Sequence, residues 1–320
     1  NRYGWSAIWN LGRCMDQQAD RVMLESGRYI VAVSGGVDSV VLLDMLANPK
    51  PPTPISPFPF PNPHFPTPNP QITVAHFDHG IRSDSAEDAE FVQDLTSKYG
   101  LGFETRREEL GEKASEDLAR SRRYKFLRSV AKIHDAQIVT AHHADDVIET
   151  IAINLMRGTG WRGLAVLDSD IIRPLTNMTK SEILDYAKTN DLKWHEDSTN
   201  LSDAYLRNRI RRKTSKLSDD DKRQLLALWS TQKHLKKLIE NELEVILDDA
   251  KLNSRYFFTH LDPLTEIECL RHITSGQLTR PQLSRLAVAI KTAKAGTTFQ
   301  AGSGVKIKFT SRNFTVELIK

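Results

Sequence analysis

The stretch YIVAVSGGVDSVVLLDML, Tyr29–Leu46, contains an apolar run that ends at two adjacent glycines and a second apolar run that follows them. The first run predicts a buried strand of a parallel sheet, and the second predicts a helix. Glycines at this junction let backbone N–H groups approach an anion, and the helix N-terminus adds a partial positive charge. The stretch therefore predicts a phosphate-binding turn at Ser34–Ser39.

The composition of this turn differs from that of a Walker loop, which ends in Gly-Lys-Thr or Gly-Lys-Ser. The turn has no lysine and carries Asp38 instead. Ser34 and Ser39 can donate hydroxyl groups to phosphate oxygens. Because a carboxylate repels bare phosphate, we expect a magnesium ion between Asp38 and the phosphate.

Strand and helix patterns alternate through the first half of the chain, and they predict an α/β fold with a doubly wound, mostly parallel sheet. The predicted strands are RYIVAVS, QITVAHFD, GFETRREEL and AQIVTAHH, and a short strand is predicted at IIRPL. Ligands of such sheets bind outside the carboxyl ends of the strands. SGGVDS, HFDHG and AHHADD all fall at those ends, so we expect the site there.

The patterns also predict how the chain is divided into domains. Residues 1–27 predict an N-terminal helix, residues 28–214 the α/β domain, and residues 215–320 a smaller helical domain ending in a β-hairpin. A proline-rich insertion at 49–70 interrupts the first crossover, and we expect it to be extended or disordered. A passive surface insertion is favoured for it over a ligand for a groove-type domain.

The overall composition is that of an ordinary globular protein, with 320 residues, 39% hydrophobic residues and a net charge of +3. No apolar run approaches the roughly 18 residues of a membrane helix, and the start lacks a signal-peptide layout. Cys14 and Cys269 lie far apart, which argues against a CxxC redox pair and suits a reducing cytoplasm. We therefore expect a cytoplasmic protein with no membrane partner, and the composition leaves a homodimer open.

Several motifs together resemble one protein family. SGGVDS resembles the SGGxDS signature of the PP-loop ATP pyrophosphatases of the N-type, which have an adenine nucleotide alpha-hydrolase-like fold and cleave ATP between its α- and β-phosphates. The blocks that follow in order are HFDHGIRSDSAEDAEFV, ARSRRYKFL, AHHADDVIETIAINLMRGTGWRGL, IIRPL and EDSTNLSDAYLRNRIR. From Arg28 to about Arg212 these blocks resemble the tRNA(Ile)-lysidine synthetase family.

This resemblance implies a ligase that uses ATP and Mg²⁺. In that family the C2 oxygen of the wobble cytidine of tRNA(Ile) with a CAU anticodon is adenylated, and free lysine then displaces AMP to give lysidine. The resemblance further implies that residues 215–320 bind tRNA. An unpaired anticodon base can be splayed into a pocket at small cost, which suits this chemistry.

The resemblance also implies roles for individual residues. ATP binding is implied for Ser34, Gly35, Gly36, Val37, Asp38, Ser39 and His142, with Asp38 as the Mg²⁺ ligand. Catalytic roles are implied for Asp38, Asp146, Glu149 and Arg122, and lysine binding for Asp146, Glu149 and Arg207. Contacts with tRNA are expected for Arg123, Arg211, Arg212 and Lys213. Spacing supports one of these pairs, because Asp146 and Glu149 lie three residues apart on a predicted helix and hence on one face.

Each of these assignments has a simpler alternative. A carboxylate pair on a helix is often only an exposed face, and for Arg212 and Lys213 a solvated basic helix is an equal alternative. The motif histidines and acids outside the turn suit either a place beside the nucleotide or a hydrogen-bonded structural role; they are His76, Asp78, His79, His142 and His143. Arg157 suits phosphate neutralisation, and Gly158 and Gly160 equally suit simple helix termination.

Two rival functions are less consistent with the sequence. A tRNA thiolase of the PP-loop superfamily typically uses cysteines or a metal site for sulfur transfer, and the two isolated cysteines argue against it. A nucleotide- or RNA-binding protein without catalysis would be expected to have a degraded turn. All five signature positions of SGGVDS are intact.

Overall fold

The computed structural model describes residues 24–48, 70–80, 85–111, 114–196, 206–247 and 252–318. The predicted N-terminal helix at 1–27 and the predicted proline-rich insertion at 49–70 lie almost wholly outside these ranges. The chain divides into two compact units between Ser230 and Thr231.

Four parallel strands form the sheet of the first unit. They are β1 (Gly27–Ala32), β2 (Pro70–Asp78), β3 (Gly102–Arg107) and β4 (Gln137–Val139), and they lie in the order β3-β2-β1-β4. All pairings between them are parallel, which confirms the predicted sheet. The short strand predicted at IIRPL is present only as an isolated parallel bridge between Val139 and Ile172.

Helices cover both faces of this sheet. The helices of the first unit are α1 (Val37–Ala47), α2 (Ser85–Lys98), α3 (Glu116–His134), α4 (Ala144–Met156), α5 (Lys180–Thr189) and α6 (Leu206–Thr214). Val31 and Val74 on one face pack in a cluster with residues of α1, α2 and α5. Ile30 and Ile138 on the other face pack with Phe126 of α3. The doubly wound architecture follows from strands that are apolar on both faces.

The strand order reverses between β1 and β4, because the chain adds β2 and β3 on one side of β1 and then crosses to the other side. Ligand sites of open α/β sheets lie at such a switch point, outside the carboxyl ends of the strands. The turn after β1 and the residues after β4 therefore come together at one place in the fold.

The second unit has its own apolar core and its own sheet. It contains α8 (Arg255–Thr259), α9 (Pro263–Ile273), α10 (Arg280–Thr292), β5 (Thr298–Gly302), β6 (Val305–Phe309) and β7 (Phe314–Leu318). The predicted hairpin corresponds to β6 and β7, and β5 extends it to three antiparallel strands. Phe258, Leu270, Leu283 and Phe314 are fully buried in the core.

The boundary between the units falls inside helix α7 (Asp219–Ile246), whereas the sequence predicted it at 214/215. Trp229 explains the difference, because it is buried with Val147, Ile151 and Val166 of the first unit. Its indole N–H also donates to Val166 O at 2.8 Å. Among the described residues no helix is long and apolar enough to cross a membrane.

Candidate active site

The turn after β1 has the backbone of an anion-binding site. Gly35 has φ +90°, a conformation that favours glycine, and Gly36 is the N-cap of α1. The Ser39 hydroxyl accepts a hydrogen bond from the Ser34 N–H at 3.1 Å and donates one to Gly36 O at 2.9 Å. The turn is thus closed by its own serine, and its glycines keep Cβ atoms away from the approach to α1.

Two histidines hold carbonyl groups of the same turn. His76 Nδ1 lies 2.9 Å from Val33 O, and burial lowers the pKa of His76, so a neutral ring donates to this carbonyl. The His195 backbone N–H donates to Gly35 O at 3.0 Å, and the His195 ring is 2.6 Å from an Asp88 oxygen. His195 was missed by the sequence analysis, because its partners lie more than a hundred residues away in the chain.

Asp38, in the first turn of α1, forms an ion pair with Lys180. The Lys180 ammonium lies 2.5 Å from Asp38 Oδ1, and the other carboxylate oxygen lies 3.9 Å from His143 Nε2. The Asp38 side chain is 32% exposed and remains accessible to a ligand. Lys180 was also missed by the sequence analysis, because it lies 142 positions further along the chain.

His143 and two acids form the N-terminus of α4. The His143 N–H donates to Asp146 Oδ2 at 3.0 Å, and its buried ring lies 3.6 Å from the same carboxylate oxygen. Asp145 accepts hydrogen bonds from the Lys180 backbone at 2.7 Å and from Lys222 Nζ at 2.8 Å. Burial would raise the pKa of Asp145, but these two bonds, together with the charges of Lys222 and His143, outweigh it and the pKa is lowered. His143 therefore lies between the glycine turn and the acids of α4.

Glu149 is the buried centre of a cluster of carboxylates and arginines. Only 1% of its side chain is exposed, and its two oxygens accept hydrogen bonds from Arg207 Nε at 3.0 Å and Arg211 Nε at 2.7 Å. Arg207 also donates to Asp146 Oδ1 at 2.9 Å. Burial would raise the pKa of Asp146, but His143 and Arg207 outweigh it and lower that pKa. Asp146 and Glu149 thus lie close enough to share one guanidinium.

His142 lies in the segment between strand β4 and helix α4. Its Nδ1 lies 2.8 Å from Thr140 Oγ1. Burial lowers the pKa of His142 to about 3; Asp146 opposes this shift, and the charges of Arg120 and Arg123 add to it. The imidazole is therefore neutral at pH 7 and offers a hydrogen bond without a charge.

The predicted basic residues are less closely gathered. Arg122 pairs with Glu108 at 4.0 Å, and the Arg123 guanidinium lies 5.7 Å from the centre of the Tyr124 ring. Arg212 and Lys213 lie on α6 with exposed side chains. Their roles in catalysis and tRNA binding stay predictions.

Two other candidates have structural partners. Asp78 accepts the Gly80 N–H at 2.8 Å and pairs with Arg107 at 3.2 Å, so it stabilises the turn after β2. Arg157 is the C-cap of α4, and Gly158 follows it with φ +70°. These contacts favour the structural role for Asp78 and helix termination for Gly158, and the role of Arg157 in charge neutralisation stays a prediction.

Magnesium fits this site through Asp38 and a bound phosphate rather than through a cage of side chains. Within the part of the chain that the structure describes, no group of three or more His, Cys, Asp or Glu residues is arranged to hold a metal ion. Mg²⁺ is commonly held by one or two carboxylates together with substrate phosphates. The partly exposed carboxylate of Asp38, at the phosphate-binding turn, suits that mode.

Comparison with known proteins identifies the fold family. A family model described as a PP-loop domain matches residues 11–217, which is most of the chain. The chain belongs to the PP-loop domain family. The glycine turn after β1, hereafter the PP-loop, lies within the matched residues.

Several curated relatives of this PP-loop protein are named tRNA(Ile)-lysidine synthase. A tRNA(Ile)-lysidine synthase from Thermotoga maritima is 37% identical over 200 residues, covering 59% of this chain and 45% of that protein. Another from Rickettsia bellii is 33% identical over 253 residues, covering 73% of this chain and 54% of that protein. The chain thus spans about half the length of these relatives. Their names confirm the resemblance found in the sequence.

A solved structure shows the PP-loop fold as well. A U34-tRNA thiolase from Methanococcus maripaludis, solved with its [4Fe-4S] cluster, superposes with a TM-score of 0.52 at 17% identity. The superposition covers 73% of this chain and 82% of that one. At this identity the likeness concerns the fold alone.

Proposed function

We propose that this protein ligates lysine to C2 of the wobble cytidine of tRNA(Ile) with a CAU anticodon, forming lysidine, AMP and pyrophosphate. The observation that carries the proposal is that the PP-loop and the acidic cluster of α4 adjoin each other. Asp38 of the loop lies 3.9 Å from His143, and His143 lies 3.6 Å from Asp146. A nucleotide site and a site for a cationic amino acid are therefore neighbours, and the names of the relatives agree with this pairing.

ATP binds at the loop in this proposal. Its pyrophosphate portion contacts the backbone and hydroxyls of the residues from Ser34 to Ser39, and neutral His142 lies on the nucleotide side. Mg²⁺, held by Asp38 and the phosphates, would neutralise phosphate charge. Arg122 would assist by stabilising charge on the α-phosphoryl group, which requires it to exchange its weak pairing with Glu108 for the nucleotide.

The reaction balances in two displacements. The C2 oxygen of cytidine attacks the α-phosphorus of ATP, the bond from that phosphorus to the β-phosphate oxygen breaks, and pyrophosphate leaves. The lysine ε-amine then attacks C2, the C2–oxygen bond breaks, and AMP leaves with that oxygen. The ammonium of free lysine, with a pKa of about 10.4, must first give a proton to one of the carboxylates of Asp146 and Glu149 or to a water.

Lysine binds at the cluster of Asp146, Glu149 and Arg207 in this proposal. Carboxylate oxygens have spare lone pairs, so Asp146 can accept an ammonium N–H while it keeps its bond to Arg207. The Arg207 guanidinium offers a partner for the lysine carboxylate. Helices α4 and α6 together thus offer charges of both signs to a substrate that carries both.

The tRNA would approach the exposed basic side chains of α6. Arg212 and Lys213 are exposed there, and Arg211 and Arg123 complete the proposed phosphate contacts. Such contacts make binding weaken as salt rises. Free lysine, the tRNA and a cytoplasmic location all belong to this proposal, and a homodimer stays open.

The deciding experiment supplies tRNA(Ile) with a CAU anticodon, ATP, Mg²⁺ and labelled lysine. We expect label at the wobble cytidine, none in a matched tRNA with uridine at that position, and none with Asp38→Asn. ATP–pyrophosphate exchange measured in parallel reports adenylation alone. If the protein exchanges pyrophosphate but never transfers lysine to this tRNA, the proposed acceptor is wrong.

A further inference from the structure

The loop sequence lacks a lysine, yet the fold supplies one. Lys180, the first residue of α5, places its ammonium 2.5 Å from Asp38 Oδ1 in the first turn of α1. In a Walker loop the phosphate-binding lysine belongs to the loop itself. Here a lysine from a distant segment reaches the same helix N-terminus.

Hydrogen bonds hold the backbone of Lys180 and of its neighbour Thr179 in place. Thr179 is the N-cap of α5 and accepts the Glu182 N–H, while Glu182 accepts the Thr179 N–H in return. The Lys180 N–H donates to Asp145 Oδ2 at 2.7 Å, and Asp145 is held in turn by Lys222. The backbone of Lys180 therefore needs no further ordering when its ammonium changes partner.

The side chain of Lys180 is by contrast free to reorient. It is 41% exposed, and its partner Asp38 is 32% exposed, so the pair lies at the accessible rim of the loop. A partly exposed ion pair of this kind is worth little by itself, about 1 kcal/mol. Replacing it with a contact to a phosphate that carries more charge therefore costs little.

The charges around the loop favour such an exchange. Asp38 is a single negative charge, whereas the pyrophosphate portion of ATP carries several. Asp38 would hold Mg²⁺ with the bound phosphates, and its charge would then attract the Lys180 ammonium less strongly than the phosphate oxygens would.

We infer that Lys180 is the phosphate-binding lysine of this PP-loop, which neutralises Asp38 in the free protein and contacts the pyrophosphate portion of ATP in the bound one. The inference rests on the proposed function in one respect, because the proposed function supplies the premise that the loop binds ATP. It assigns a ligand contact to a residue outside every motif of the loop.

Binding of inorganic pyrophosphate, measured by calorimetry with and without Mg²⁺, tests the inference directly. Loss of one charge-assisted hydrogen bond should weaken binding by about tenfold or more in Lys180→Met. Lys180→Arg should bind nearly as well as the wild type. Lys188→Met is the matched control, because Lys188 is exposed in the last turn of the same helix, and it should bind as the wild type.

A second background separates direct contact from an effect through Asp38. If Lys180 acted only by setting the charge of Asp38, Lys180→Met would change nothing in an Asp38→Asn protein. We expect the weakening to persist there, and also without Mg²⁺. Thermal unfolding shows that each variant is folded, and Lys180→Gln replaces Lys180→Met if the latter is not.

The inference is overturned if Lys180→Met binds pyrophosphate as well as or better than the wild type, or if Lys188→Met loses as much. These outcomes are independent of the lysine-transfer assay. A protein that makes no lysidine, yet loses pyrophosphate binding in Lys180→Met alone, would disprove the proposed acceptor and leave this inference standing.

Discussion

Glu149 illustrates how single residues fix the chemistry of this site. A carboxylate that is almost wholly buried must be paired, and Arg207 and Arg211 supply one donor to each of its oxygens. Neither arginine is fully buried, so each can turn to a substrate while the other keeps Glu149 partnered. The buried Glu149 carboxylate thus holds two guanidinium groups beside α4.

Glu149→Gln should lower the free energy of unfolding by about 3 kcal/mol, the lower end of the range for breaking a buried ion pair, because Arg211 is 42% exposed. Urea denaturation measures this loss, and Glu244→Gln on the exposed face of α7 should show almost none. Glu149→Gln should still adenylate tRNA but should fail to transfer lysine. Equal loss of both steps would contradict a role in lysine binding.

His142 should make stability depend on pH. Its folded-state pKa of about 3 lies below the ordinary 6.5, so its contribution is complete above pH 6.5 and is lost as the pH falls towards 3. One proton of difference changes the free energy of unfolding by about 1.4 kcal/mol per pH unit. His142→Asn should flatten the stability profile between pH 6.5 and about pH 4.5. An unchanged slope, or the same flattening in exposed His234→Asn, would contradict the assignment.

At the scale of helices and strands, the sequence pattern predicted the features that depend on residues close together in the chain. Strands β1, β2 and β4 contain apolar runs, and a capping box of Thr179 and Glu182 begins α5. The pattern did not reveal β5, whose five residues TFQAG include a glutamine and end at Gly302 with φ +103°. Nor could it reveal Lys180, Lys222 or His195 as parts of the site, because a contact between distant segments leaves no periodic signal in either. The glycine turn was predictable because its chemistry is contained in six consecutive residues.

At the scale of the whole molecule, each of the two units has apolar clusters of its own, so we expect the units to lose structure separately. Phe258 is fully buried in the cluster of the second unit, and Phe126 is buried in one cluster of the first. Truncating either ring to alanine should cost about 3–5 kcal/mol.

Hydrogen exchange read by mass spectrometry can assign that loss to a unit. Phe258→Ala should reduce amide protection in residues 252–318 and leave β1–β4 protected, because the second core contains residues of that unit only. Phe126→Ala should do the reverse. Uniform loss of protection in either variant would show that the chain unfolds as one cooperative body, and the division inside α7 would then describe contacts but not stability.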